Sequence, residues 1–150
     1  MMIRRTRKQS ESRRRGAAIV ETAVVLPIFF MIVLGIVEFG RAMMVAQLLT
    51  NGAREGARLA ALPDATNTSV ETAVLDFVES SVGVPRSKVS VTISVTPAAG
   101  NPNPADVLAN ARKRDLCNIK VDVGFADVDY LPGKFLADRK LMGQCAMRRE

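Results

Sequence analysis

Gly16-Ala-Ala-Ile-Val-Glu21-Thr-Ala-Val-Val-Leu-Pro27-Ile-Phe-Phe-Met-Ile-Val-Leu-Gly35-Ile-Val-Glu38-Phe-Gly40-Arg41 is the stretch on which the reading of this chain turns. Ile19 to Phe39 is almost wholly apolar, and at helical rise it extends about 31 Å, close to the roughly 30 Å of bilayer hydrocarbon. Its formal charges, Glu21 and Glu38, stand one at each end, where each carboxylate reaches a membrane interface. Pro27 is tolerated in a membrane helix because neighbours take up the freed carbonyl.

Outward toward the N-terminus, residues 1–16 hold seven Arg or Lys and one acid. The rest of the chain has fourteen of each sign, so the whole net charge of +6 resides in this arm. A nucleic-acid binder carries its basic charge on the folded part, whereas charge beside an apolar run orients a membrane segment. The arm by itself has little to bury and is expected to lack structure. It reads either as a cytoplasmic anchor or as a leader that is removed. In both cases the N-terminus is cytoplasmic and everything after Arg41 lies outside. A cleaved secretory signal fits poorly, because the apolar run is long and no small-x-small site follows Phe39.

Toward the C-terminus the helical pattern continues to Leu62, where Pro63-Asp64 ends it. Gly52, Gly56 and Ala60 are spaced by four, as are Ala53, Ala57 and Ala61, and such stripes let another helix approach closely. Arg54, Glu55 and Arg58 read as surface or intersubunit contacts. Thr68 and Glu71 are spaced as a capping box, and Val70, Ala73, Val74, Phe77 and Val78 form the apolar face of a short helix that stops at Gly83. Lys88–Thr96 alternates as a half-buried strand, and Cys117–Phe125 alternates as a second. Ala105–Arg114 is expected as a short surface helix after Pro104, and Arg139–Met147 as a third strand. The fold class is therefore α+β. A long N-terminal transmembrane helix continues into an extracytoplasmic helix, followed by a small domain with a short amphipathic helix and an antiparallel sheet of about three strands. The expected divisions are a basic leader over 1–16, the helix and its extension over 17–62, and the small domain over 63–150.

If the second and third strands pair about Leu131, Cys117 faces Cys145, and the pair is either a disulfide or two buried thiols. There is no His, which removes the commonest general base and metal ligand. Ser80-Ser81 has no base beside it. Asp122, Asp127 and Asp129 lack calcium-loop spacing, and Asn67-Thr68-Ser69 is a formal glycosylation sequon that chance accounts for. No enzyme activity, metal, cofactor, nucleic acid or small-molecule substrate is expected.

Arg13-Arg14-Arg15-Gly16 before Ala17, with Glu21 fifth after Gly16, resembles a type IV prepilin processing site. The wider pattern is Gly16–Pro27, then Gly35-Ile-Val-Glu-Phe-Gly-Arg41, then Ala53-Arg-Glu-Gly-Ala-Arg-Leu-Ala60. It resembles the TadE-like pseudopilins of tight-adherence, Flp-type pilus systems, and the end Cys145–Glu150 is loosely similar to theirs. The resemblance implies a single-pass subunit of the bacterial inner membrane that takes part in pilus or secretion-apparatus assembly. Its partners would be membrane lipid, other pilin-like subunits, the assembly machinery and a prepilin peptidase cutting between Gly16 and Ala17. Glu21 would then pair with an Ala17 α-amine, and Gly52, Gly56 and Ala60 would add helix contacts in assembly. The competing reading is an uncleaved membrane-tethered module whose sheet domain binds a partner.

Overall fold

The computed structural model describes residues 5–128 and 138–150, with side chains from Gly16 onward. The turn expected around Leu131-Pro132-Gly133 and the carboxylate of Asp129 lie outside the described residues. The element order is α1 (Arg5–Ala60), α2 (Asn67–Val82), β1 (Val89–Thr96), β2 (Leu116–Gly124) and β3 (Lys140–Arg148). This is the α+β arrangement read from the sequence. The chain divides into two compact units, Met1–Phe39 and Gly40–Glu150.

In the first unit the arm is helical from Arg5, contrary to the expectation of an unstructured leader. Propagating a helix from a formed one adds a hydrogen bond for each residue fixed, and Arg, Lys, Gln and Glu are good helix formers. Pro27 lies inside α1 without ending it.

The second unit includes the end of α1 as well as residues 63–150. Here α1 buries Ala42, Val45, Leu49, Gly52, Ala53, Gly56, Ala57 and Ala60, the i, i+3, i+4 spacing of one face. Small residues dominate that stripe, so neighbours come close to the helix backbone. A Cβ on Gly52 would stand 3.1 Å from Phe77 Cδ1 of α2, and one on Gly56 would press on Val74 and Ile119. α2 contributes Val70, Val74, Val78 and Val82 to the core. Its N-cap is Thr66, boxed with Ser69, rather than Thr68 with Glu71. At this earlier start the side chain of Asn67, the first residue of α2, donates from Nδ2 to the Asp106 carbonyl and accepts at Oδ1 from the Leu108 amide, which ties the helix to that loop. Gly83 ends α2 in the left-handed conformation at φ 79°, as its sequence position implies.

The sheet is an antiparallel meander in the order β1-β2-β3. Val91, Ile93 and Val95 share the inner face with Cys117, Ile119, Val121 and Val123, and with Leu141, Gly143, Cys145 and Met147. Ser90, Thr92, Asn118, Lys120 and Gln144 make the opposite face polar. Ala105–Arg114 is not a helix. Ala105 and Asp106 adopt φ of 54° and 61°, outside the right-handed region, and only Leu108–Asn110 makes a short 3-10 turn.

The register of β2 with β3 differs from the expected one by two residues. Cys117 faces Met147, and Cys145 faces Ile119. Both thiols are free. They lie diagonally on one face, a relation that separates directly paired positions by about 7–8 Å, too far for a disulfide without backbone movement. The register has a steric cause. Val121 faces Gly143, whose absent Cβ would collide with the Leu49 carbonyl carbon and the Thr50 nitrogen of α1. The register that aligns the cysteines would bring Leu141 opposite Val121, where that backbone leaves no room for a side chain.

Gly143→Ala is therefore expected to destabilise the full chain by at least about 2 kcal/mol. Gly35→Ala, at a position where a Cβ meets nothing within 4 Å, serves as the control. Thermal unfolding in detergent, followed by circular dichroism, checks the difference between the two.

Candidate functional site

From Gly16 to Val37 no side chain of α1 is buried within the chain. Ile19 is 68% exposed, Phe29 57% and Ile36 67%. The helix is long and apolar enough to cross a membrane. Covering such side chains with lipid or another helix would gain about 1.5–3 kcal/mol each relative to water. Gly16, Ala17 and Glu21 lie together on this uncovered segment, within unbroken helix. Thr22 Oγ1 donates to the Ala18 carbonyl at 2.8 Å, which satisfies its hydroxyl locally. A Cβ at Gly16, Gly35 or Gly40 would meet nothing within 4 Å, so no packing within the chain requires glycine there. Each glycine weakens a helix by about 1 kcal/mol relative to Ala.

The other glycines expected in assembly have a different setting. Gly52, Gly56 and Ala60 are enclosed, and the helix that Gly52 and Gly56 admit is α2 of the same chain. Their close-packing role is met inside the second unit, which removes them from any surface offered to another subunit. The signal for this lay in the sequence, since α2's apolar face needed a partner stripe. Glu38, read as interfacial, is only 4% exposed and its Oε1 has no hydrogen-bond partner. Its spacing ahead of Ala42, Val45 and Leu49 follows the buried stripe, and that periodicity was the available clue.

The remaining polar groups serve the fold. Asp115 is fully enclosed; it accepts hydrogen bonds from Asn101 Nδ2 at 2.7 Å, the Ala98 amide at 2.8 Å and the Arg112 amide at 2.7 Å. These bonds, the Asn101 amide foremost, hold its carboxyl below the usual aspartate range. Arg149, also buried, donates to the carbonyls of Leu108 and Pro63. The Asn67 side chain is engaged at both ends, which explains the sequon position structurally. Ser80 Oγ donates to the Phe77 carbonyl. Asp122 pairs with Lys120 at 3.3 Å and Asp127 with Lys88 at 3.2 Å. Among the described residues no three His, Cys, Asp or Glu side chains group as metal ligands. Cys117 donates its S–H to the Ala60 carbonyl at 3.7 Å, and burial pushes its thiol pKa up.

Residues 16–58 match the family model of the TadE-like proteins. The match spans the arm junction, the apolar run and most of the buried stripe. No curated protein and no solved structure matches the chain.

Two outcomes follow from these local settings. Under native conditions Cys145 should be alkylated faster than Cys117, and both should react after denaturation, as mass spectrometry reads directly. Asp115→Asn should lower the unfolding temperature at neutral pH. Because the folded pKa of Asp115 is depressed, its stabilisation is present above about pH 4 and lost as the pH falls through the lower folded value. Melts across that range should show a flatter acid limb in the variant.

Proposed function

We propose that this chain is a pilin-like minor subunit, a pseudopilin that assembles through its N-terminal helix into a tight-adherence pilus or a related secretion apparatus. The observation that carries this reading is the uncovered apolar helix from Gly16 to Val37, coinciding with the TadE-like match. The basic arm holds the N-terminus in the cytoplasm, and Gly40–Glu150 lies on the far side of the inner membrane. A prepilin peptidase cuts after Gly16. This removes the +6 arm and leaves an α-amine on Ala17.

Glu21 then has a cation within reach, on its own or a neighbouring chain. A carboxylate near the bilayer is expensive without such a partner, so the pair sets the axial register between helices. Gly35 and Gly40, which no packing within the chain explains, provide places where neighbouring helices approach. The enclosed Gly52, Gly56 and Ala60 act indirectly, by holding the second unit in shape. Pilus subunits and the assembly machinery are the partners, and no catalytic step is assigned to the chain.

N-terminal sequencing of the membrane-inserted protein should begin at Ala17. A chain that keeps Met1 and remains fully active would instead be the tethered binding module. Glu21→Ala should leave insertion intact while reducing recovery in the assembled structure about tenfold or more, measured by shearing and quantitative blotting. Unchanged recovery would remove the register role from Glu21.

A further inference from the structure

The loop between β1 and β2 and the end of β3 enclose a cleft of about 520 Å³ in the second unit, well away from the apolar run in sequence. Its lining includes Thr96, Asn101, Lys113, Arg114, Leu116 and Arg148, and no carboxylate. All three cations are exposed at this cleft. Among the described residues none of the three side chains makes an ion pair or hydrogen bond, whereas Arg58, Arg86, Lys88 and Lys120 each have an acidic partner. The nearest acid in sequence, Asp115, does not line the cleft. Its carboxylate faces Asn101 and two backbone amides, and these three donors occupy it. A cavity with three uncompensated cations concentrates anions at its mouth.

We propose that this cleft binds a phosphate-bearing ligand through Lys113, Arg114 and Arg148. The charge count selects the ligand class. Three cations line the cleft with no carboxylate among them, so a multiply charged anion suits it best. A phosphomonoester carries about −1.5 to −2 near neutral pH, whereas a single carboxylate leaves two of the three cations unmatched. The guanidinium groups also suit the chemistry, since their planar donors bind phosphate oxygens in pairs and Lys adds a point charge. The volume exceeds that of a phosphate ion, so the cleft has room for the group that carries the phosphate. Leu116, 36% exposed, gives that group an apolar surface. This site is independent of peptidase processing and of Glu21.

The test is isothermal titration of the full chain in zwitterionic detergent, with inorganic phosphate, glycerol 3-phosphate and glycerol as separate titrants. The expected result is one saturable site per chain for a phosphate-bearing titrant and none for glycerol. Saturation by inorganic phosphate identifies the free ion as a sufficient ligand; saturation by glycerol 3-phosphate alone identifies a phosphorylated headgroup. Arg148→Gln, Lys113→Gln and Arg114→Asn should each weaken binding about tenfold. Asn is chosen for position 114 because it tolerates the φ of 77° found there. Lys113→Gln, an exposed change, keeps the test open if another variant fails to fold, as circular dichroism will report. Arg139→Gln, an exposed cation outside the cleft, should leave binding unchanged. Absence of saturable heat with both anions, or equal binding by wild type and the three cleft variants, overturns the proposal.

Discussion

Where β3 passes α1 there is space for a hydrogen atom and no more. Gly143 sets its bare Cα against the Leu49–Thr50 peptide, and the rest of the second unit is arranged around that approach. With the strand this close, Val121 and Ile119 of β2 face the helix. The alternating pattern then places Val91, Ile93 and Val95 on the same layer. Gly52 and Gly56 make a similar concession to α2. Close approach brings many weak dispersion contacts into range, and their sum offsets the helix propensity lost at each glycine.

The two stretches of α1 solve opposite problems with similar residues. After Gly40 the helix buries a stripe of small side chains against its own chain. From Gly16 to Val37 it presents large side chains outward on every face, with glycines that nothing in the chain contacts. A helix that is apolar all round belongs either in a core or in a bilayer, and here no core surrounds it. At Gly52 and Gly56 glycine fits the chain to itself, whereas at Gly35 and Gly40 a Cβ would meet nothing in the chain.

The elements legible in the sequence were those set by local period. Val89–Val95 alternates without a break, and Val70, Val74 and Val78 recur every fourth residue, so β1 and the inner face of α2 could be read directly. The membrane-length helix was legible because lipid imposes a simple length rule. What could not be read depended on distant partners. The β2–β3 register follows from Gly143 meeting α1, nearly a hundred residues away in sequence, and spacing around a turn does not carry that information. The segment from Ala105 has helix-forming residues, but Asp106 accepts the Val95 amide and Asn67 ties down the neighbouring backbone. Those side-chain bonds compete with a helix. In the candidate site, the Gly16–Glu21 spacing became specific only beside the basic arm, Pro27 and Arg54–Arg58, whereas the inward use of Gly52 and Gly56 could be recognised only by matching their stripe to the apolar face of α2.

The diagonal cysteines carry a consequence for how this domain matures. Its strand alignment rests on the fit of Gly143 against α1 and not on a sulfur bridge, since both thiols are free. Small domains that cannot build a large core commonly depend on sulfur bridges. This one replaces the bridge with a missing methyl group.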